Sequence, residues 1–172
     1  MTNTPMTEAD LLRTLAANDI PVTIHRHPPL FTVEDSQALR GELPGTHCKN
    51  MFLKAKDGTF VLVTCEESRR IRIRDLEKQI GLRKMSFAKP EALLDHLGVT
   101  PGAVTPLSAI NDTANVVRVV LDAQMMAGDV LNCHPLHNEA TVAMSTQDLR
   151  RFFALTGHTP VELDFDALEA LA

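Results

Sequence analysis

The strongest constraint on the fold is a β-hairpin signal in the first half of the chain. Residues 51–53 and 60–63 are apolar runs of strand length, and Asp57-Gly58 between them is a common two-residue hairpin turn. The two runs therefore predict an antiparallel pair of strands. Any fold for this chain has to contain a sheet with at least one such pair.

Lys49 is unusual within this hairpin because the rest of its face is apolar. Side chains alternate between the two faces of a strand, which places Lys49 with Met51 and Leu53. The opposite face takes Asn50, Phe52 and Lys54. Either Lys49 carries its ammonium along an apolar stem into water, as many lysines at strand ends do, or it lies in a polar cleft. The hairpin alone favours the first interpretation.

A second segment, residues 134–141, interrupts a strand-like stretch with polar side chains. His134 precedes a proline, so its backbone is held extended, and Pro135 cannot donate a hydrogen bond to a neighbouring strand. His137 and Asn138 follow within four residues of His134. A broken strand rich in donors and acceptors is typical of the wall of a polar pocket. For His137 taken alone, a loop in which it binds backbone groups is the better interpretation.

Helices and strands alternate along the rest of the chain. Helices are predicted near 7–18, 34–40, 74–80, 91–97 and 146–156, and further strands at 22–27, 115–121 and on both sides of the His-Pro step. The hairpin and the paired late strands favour a mixed sheet, so the predicted class is α/β with α+β character. A length of 172 residues with 44% hydrophobic content predicts one domain, residues 1–172.

Three segments together resemble a known family. The Lys-Asn-x-x-Leu-x strand that begins at Lys49, the stretch from Thr100 to Leu107, and His-Pro-Leu-His-Asn-x-Ala-Thr from His134 are similar, in this order, to motifs of the YbaK/ProX aminoacyl-tRNA deacylases. These are free-standing relatives of the editing domain of bacterial prolyl-tRNA synthetase. The resemblance covers nearly the whole chain and is closest to the ProX branch, which removes alanine wrongly attached to proline tRNA.

The resemblance implies a fold, a reaction and a set of site residues. It implies a curved mixed sheet flanked by helices, and hydrolysis of an aminoacyl ester without a cofactor, by water that the ribose hydroxyl of the substrate helps to activate. Lys49 would anchor the end of the substrate, Gly102 would bring backbone amides to the carbonyl, and His134 would position the substrate. The expected substrate-binding residues are Phe31, Val33, Asn50, Met51, Pro106, Cys133 and Asn138.

The accepted amino acid stays open between alanine and another small residue such as cysteine or serine. Cys133 lies at a position that varies across the family, and Glu139 replaces the small polar residue that close relatives often carry. The partner implied is the acceptor end of a mischarged tRNA, with prolyl-tRNA synthetase as a further candidate.

The charge distribution leaves a second function open. The chain has a net charge of −5, but residues 69–84 carry seven positive and two negative charges. This basic segment either binds nucleic-acid phosphates or forms a solvated strand face leading into a helix. A non-catalytic nucleic-acid-binding module is therefore the alternative. With no Trp or Tyr in the chain, extensive stacking on bases is not expected.

Cysteine usage and hydropathy suggest a soluble protein of the cytoplasm. The three cysteines, Cys48, Cys65 and Cys133, are odd in number and lack Cys-x-x-Cys spacing, so a disulfide framework is not expected. No signal peptide is visible, and no apolar run approaches the roughly 20 residues of a membrane helix. Zinc is a weak rival, because His47-Cys48 and Cys133-His134 are doublets whose neighbours point to opposite faces and whose spacing matches no zinc signature.

Overall fold

A mixed sheet organises the protein. The computed structural model describes residues 4–29, 34 and 43–172. The strands of the described residues are β1 (Thr23–Arg26), β2 (Thr46–Lys54), β3 (Phe60–Glu66), β4 (Ser86–Phe87), β5 (Val117–Asp122), β6 (Val130–Cys133), β7 (Ala140–Ser145) and β8 (Val161–Leu163). They form one eight-stranded sheet in the order β1-β7-β6-β2-β3-β5-β8, with β4 paired to β2.

The sheet combines both strand orientations, which confirms the predicted mixed topology. The hairpin β2–β3 is antiparallel, as are β1–β7, β6–β7 and β2–β4. The pairs β2–β6, β3–β5 and β5–β8 are parallel. One sheet contains both parallel and antiparallel pairs, and helices alternate with strands along the chain. The predicted α/β class with α+β character is therefore confirmed.

Helices cover both faces of the sheet. They are α1 (Glu8–Ala17), α2 (Ile73–Ile80), α3 (Pro90–Leu97), α4 (Ala123–Met126), α5 (Thr146–Thr156) and α6 (Phe165–Ala170), with a 3-10 helix at Pro106–Asn111. The predicted helix at 34–40 lies outside the described residues except for Glu34, which is helical. Within the described part of the chain, no helix is long and apolar enough to cross a membrane.

Local chemistry accounts for the helix ends that the sequence predicted. Thr7 accepts a hydrogen bond from the backbone N–H of Asp10, whose side chain accepts one from Thr7 in return, so α1 begins with a capping box. Ser145 caps the start of α5, which ends at Gly157 with a φ of 83°. A positive φ of this kind favours glycine, because a Cβ would strain the turn.

Two apolar cores lie on opposite faces of the sheet. The larger core includes Leu11, Leu121 and Phe152, and the second includes Leu53 and Phe165. Phe52 belongs to the larger core while Leu53 belongs to the second. The alternation predicted for the hairpin is therefore confirmed, and Lys49 lies on the face of the second core.

Several short elements were not predicted. They are β4, β8, α4, α6 and the 3-10 helix. Each is too short to show a hydrophobic period, and β8 is a three-residue strand that pairs in parallel with β5. Tertiary contacts rather than local sequence therefore determine these elements. The C-terminal helix α6 matters most among them, because Phe165 and Leu168 complete the second core.

A buried hydrogen bond ties the residue after Gly157, at the end of α5, to the segment that leads into β5. His158 and Asp112 are 8% and 4% exposed, and His158 Nε2 donates a hydrogen bond of 2.8 Å to Asp112 Oδ2. The carboxylate also accepts from the backbone N–H groups of Val116 and Val117. Burial acts to raise the pKa of Asp112, but the hydrogen bonds from His158 and the two amides outweigh it and lower the pKa.

We expect His158→Ala to destabilise the fold by about 1–3 kcal/mol at pH 7, because Asp112 would lose its buried partner. The pKa of Asp112 is lower in the folded than in the unfolded state, so its contribution is complete above the unfolded value and is lost as pH falls through the folded value. The wild type should therefore lose more stability between pH 7 and pH 3 than the variant does. Urea denaturation of both proteins at the two pH values measures this.

The matched control is Glu162→Gln, which removes a partly exposed ion pair with Arg150. Its effect on the free energy of unfolding should be small, since exposed pairs contribute about 0–1 kcal/mol. An equal effect of the two substitutions would contradict the role given to the buried pair.

Candidate functional site

The parallel pairing of β2 with β6 joins the two polar segments that the sequence singled out. Thr46 pairs with Leu131 and His47 with Asn132. Extended by two residues along each strand, this register would place Lys49 level with His134, the residue after β6. The segments that lead into two motifs far apart in sequence are thus neighbours in the sheet.

Lys49 is half-buried on β2, on the face of the second core together with Met51. Its Nζ donates a hydrogen bond to the main-chain carbonyl of Arg69. Cys65 is its partner across the β2–β3 ladder. Burial raises the pKa of the Cys65 thiol to about 12 even though the charge of Lys49 acts to lower it. Cys65 is therefore a protonated thiol at neutral pH and not a nucleophile.

His134 follows the last residue of β6 and is held by a backbone contact. Its Nδ1 donates to the carbonyl of Ala140 at 3.1 Å, which leaves Nε2 with a lone pair when the ring is neutral. Burial lowers the pKa of His134, partly offset by the bond to Ala140 and reinforced by the nearby His27 and His137. His134 is therefore a neutral hydrogen-bonding group at pH 7.

Two further polar residues belong to this face but were missed as site residues. The ring of His27 lies 6.5 Å from that of His134, and His27 Nε2 is 2.8 Å from Thr141 Oγ1. His27 Nδ1 donates to the carbonyl of Pro28, and in this tautomer Nε2 accepts a hydrogen bond from the hydroxyl of Thr141. Alternation along β1 places His25 and His27 on one face. The register that pairs β1 with β7 and brings these histidines to Thr141 cannot be predicted from the local sequence.

The glycine loop meets the His-Pro segment through Asn138. Gly102 has a φ of 90°, and a Cβ placed on it would lie 3.6 Å from Asn138 Nδ2. The backbone conformation rather than crowding therefore favours glycine here. The loop then turns inward, because Thr105 and Pro106 are buried and Pro106 begins the 3-10 helix.

Comparisons with known proteins agree with these motifs. The family model described as "Aminoacyl-tRNA editing domain" matches residues 27–152. The chain belongs to this family. Its members include the YbaK/ProX deacylases, enzymes that hydrolyse the ester of mischarged tRNA.

Individual relatives support the family assignment. The prolyl-tRNA synthetase associated domain-containing protein 1 of Mus musculus is 37% identical over 163 residues, which cover 92% of this chain and 96% of that protein. The prolyl-tRNA editing protein ProX of Acetoanaerobium sticklandii is 33% identical over 141 residues, 81% of this chain and 86% of that protein.

A solved structure has the same fold. A crystal structure titled as a proposed trans-editing enzyme for prolyl tRNA synthetase covers 92% of this chain and 98% of its own, with a TM-score of 0.69 and 17% identity. At this identity the likeness concerns the fold alone, and it confirms the sheet with flanking helices that the family resemblance implied.

The remaining expected site residues of this editing domain are divided between locations. Asn50 lies on the opposite face of β2 from Lys49, and its Oδ1 accepts a hydrogen bond of 2.6 Å from Thr64 Oγ1. Cys133 is buried in the larger core beside Thr105, and burial raises the pKa of its thiol to about 12. Phe31 and Val33 lie outside the described residues.

Lys49 and Met51 thus share the face of the second core, and a Cβ on Gly102 would lie beside Asn138. Cys133 belongs to the larger core, Asn50 lies on the face of β2 turned toward that core, and Pro106 is buried in the 3-10 helix. Among the residues described, no group of three or more His, Cys, Asp or Glu side chains is placed to hold a metal ion.

His137, which the sequence left unassigned, contacts α1. Its Nε2 donates to a carboxylate oxygen of Glu8, and its Nδ1 accepts from the backbone N–H of Glu139 at 3.0 Å. Arg26 binds the other oxygen of Glu8 at 2.6 Å. The hydrogen bond from Arg26 is the largest of the effects on Glu8, and its pKa is lowered despite partial burial. His137 therefore fastens the His-Pro loop to α1.

We expect the imidazole of His134 to titrate below its ordinary pKa of about 6.5. A heteronuclear NMR titration would measure this, with His134→Gln identifying the resonance by its loss. Because the unfolded chain binds the proton more readily, His134 should also reduce stability as pH falls below about 6.5. A pKa above 6.5 would contradict the neutral ring described here.

Proposed function

We propose that this editing domain deacylates mischarged tRNA in trans, with alanyl-tRNA(Pro) as its substrate. The observation that carries the proposal is the parallel β2–β6 pairing of Thr46 with Leu131 and His47 with Asn132. Extended by two residues along each strand, this register would place Lys49 level with His134 on one face of the sheet. Membership of the editing family supports the reaction class, and the name of the ProX relative supports prolyl tRNA as the carrier.

Lys49 supplies a fixed positive charge. An ammonium has three N–H donors, and one of them is bound to the carbonyl of Arg69. Two donors are left for oxygen atoms of the substrate, either a phosphate or the ribose and ester carbonyl. An aminoacyl ester is already activated, so orientation and stabilisation of the developing oxyanion can supply most of the acceleration.

His134 supplies a lone pair beside that charge. With Nδ1 bound to Ala140, its Nε2 can accept a hydrogen bond from the ribose hydroxyl or from the attacking water. The ribose hydroxyl of the substrate helps to activate the water, and Gly102 lets the loop backbone approach the ester. No thiol competes as a nucleophile, because burial raises the pKa of Cys48, Cys65 and Cys133.

Size selection explains why such an enzyme is needed. A synthetase pocket built for proline cannot strongly reject a smaller amino acid, since each missing methylene costs only about 1–3 kcal/mol. A smaller second pocket can admit alanine and exclude proline. Met51, on the face of Lys49, is a proposed wall of that pocket, as are Phe31 and Val33, and Asn138 is a proposed hydrogen-bonding group at its Gly102 end.

The alternative, a non-catalytic nucleic-acid-binding module, depends on the basic segment 69–84. Part of its charge is used inside the protein: Arg69 binds Asp122, Asp166 and Glu169, and Arg72 binds Asp75. Arg70 and Arg74 are exposed. Fewer positive charges are therefore free to bind phosphates than the seven counted in the sequence. Such a small basic surface fits a contact with the tRNA substrate of an editing enzyme better than a module whose main task is to bind nucleic acid.

Lys49→Ala should lower kcat/KM for alanyl-tRNA(Pro) by about 100-fold, and His134→Ala by about 10-fold, equivalent to about 2.7 and 1.4 kcal/mol of transition-state stabilisation. Lys49 provides charge where the oxyanion develops, whereas His134 provides one neutral hydrogen bond. A deacylation assay with alanyl-, cysteinyl- and seryl-tRNA measures both effects. Lys56→Ala, an exposed lysine of the hairpin turn, is the control and should retain activity.

Failure of the wild type to hydrolyse any of the three esters would refute the deacylase proposal. Hydrolysis of the cysteinyl or seryl ester in preference to the alanyl ester would refute only the choice of amino acid.

Charge reversal at Arg70 and Arg74 distinguishes the two candidate functions. For an enzyme that contacts the tRNA backbone, the double substitution to Glu should raise KM several-fold, more steeply at low salt, and change kcat little. Lys49→Ala should leave tRNA binding nearly unchanged while it lowers kcat about 100-fold. A nucleic-acid-binding module would show the reverse, with binding lost in the Arg variant and no defect in Lys49→Ala.

A further inference from the structure

Arg69 is the centre of an ion-pair cluster adjoining Lys49. Its Nε donates to Asp122 at 3.1 Å, and its Nη1 donates to Asp166 at 2.5 Å and to Glu169 at 3.1 Å. Its side chain is only 12% exposed. The main-chain carbonyl of the same residue accepts the hydrogen bond from Lys49 Nζ. One residue therefore joins three carboxylates to the proposed active-site lysine.

Asp122 is the rigid side of this cluster. It is fully buried at the end of β5, and its Oδ2 accepts from the backbone N–H of Glu66 as well as from Arg69. Its Oδ1 accepts from the backbone N–H groups of Gln124 and Met125, and so caps α4. A carboxylate held by so many donors has little freedom to move.

The C-terminal helix is the other side. Asp166 and Glu169 both belong to α6, whose start is fixed because Gln124 donates to Asp164 at 2.7 Å and accepts from the backbone N–H of Phe165 at 2.9 Å. Arg72, three residues beyond Arg69, binds the carbonyl of Leu171. The segment 69–72 is therefore anchored at one end to α6 and at the other to Leu171, the residue that follows α6.

We propose that Arg69 is a positioning residue for the editing reaction: its side chain, locked between Asp122 and α6, fixes the main-chain carbonyl that orients Lys49. The proposal rests on the function proposed for Lys49 above. Neither the sequence motifs nor the family resemblance points to Arg69 or to the C-terminal helix.

The flexibility of a lysine side chain explains why Lys49 needs a fixed hydrogen-bond acceptor. A lysine has a flexible four-carbon stem, and a free ammonium would sample many positions in a half-open site. The cluster holds one guanidinium against three carboxylates, so its net charge is negative and it attracts the ammonium. A hydrogen bond to a fixed carbonyl then selects one direction for Nζ, which pre-organises the charge for the ester oxygen.

Arg69→Met in the full chain should lower kcat/KM for alanyl-tRNA(Pro) about 10-fold, mainly through kcat, because the uncharged side chain releases the 69–72 segment. The decisive comparison is a double-mutant cycle. In the Lys49→Ala background, Arg69→Met should have no further effect on kcat/KM, since a residue that acts through Lys49 has nothing left to position. A purely structural role would give multiplicative losses in the two backgrounds.

A milder variant tests the same link from the other side. Asp166→Asn combined with Glu169→Gln leaves Arg69 and its bond to Asp122 in place, and this double variant should lower kcat about threefold. Arg69→Lys keeps a positive charge at this position and should retain part of the activity that Arg69→Met loses. Glu162→Gln is the matched control: it breaks a partly exposed ion pair with Arg150 near the same end of the chain and should leave activity unchanged.

A readout that does not need turnover separates this proposal from the proposed function. The rate at which an amine-reactive reagent modifies Lys49, measured by mass spectrometry in the absence of tRNA, should rise several-fold in Arg69→Met and in the Asp166/Glu169 variant. An unchanged rate in both would overturn the positioning role, as would multiplicative losses in the cycle. If the wild type hydrolyses no ester, the proposed function fails, and the labelling rates alone then decide whether Arg69 holds Lys49.

Discussion

The parallel contact between β2 and β6 is the interaction on which the site depends. Strands β1, β7 and β6 lie on one side of β2, and β3, β5 and β8 lie on the other, so this contact joins two halves of the sheet. Close approach of the chain at Gly45 allows it. A Cβ there would lie 2.9 Å from the side chain and the carbonyl of Val130, and the φ of 102° is one that only glycine adopts readily. Without this contact, Lys49 and His134 would belong to separate sheets.

The face of the sheet that carries the second core changes from apolar to polar at β2. Its β3–β5 half is covered by the second core and by α6, whereas its β1–β7–β6 half carries polar side chains such as His27, Thr141 and Asn132. Asn132 is 3% exposed; its Nδ2 donates to the carbonyl of Pro44, and within the described ranges its Oδ1 has no hydrogen-bond partner. Buried polar groups reduce stability unless they are paired. Their concentration here, with Lys49 at the boundary, is what a binding site requires and a core would avoid.

Elements that depend on near neighbours could be predicted, and those that depend on distant ones could not. The Asp-Gly hairpin, the Thr7 capping box and the helix from Thr146 to Gly157 follow from chemistry within a few residues. The β2–β6 register leaves no local trace, so the proximity of Lys49 and His134 could be inferred only from the family resemblance. The basic segment 69–84 was interpreted as a surface because nothing in the sequence links Arg69 to the carboxylates of an unpredicted C-terminal helix.

Protonation states limit the mechanism more than the identity of the side chains does. Burial raises the pKa of all three thiols and lowers that of His134, so at neutral pH these cysteines are not thiolates and His134 is not an imidazolium. What it offers is one cation in a fixed direction and one neutral ring with a free lone pair. Such a site would be a poor catalyst for an amide, whose leaving group needs a proton donor. An aminoacyl ester carries a good leaving group and an adjacent ribose hydroxyl, so the substrate itself can supply the proton transfers that the protein lacks, and orientation by Lys49 and His134 is sufficient.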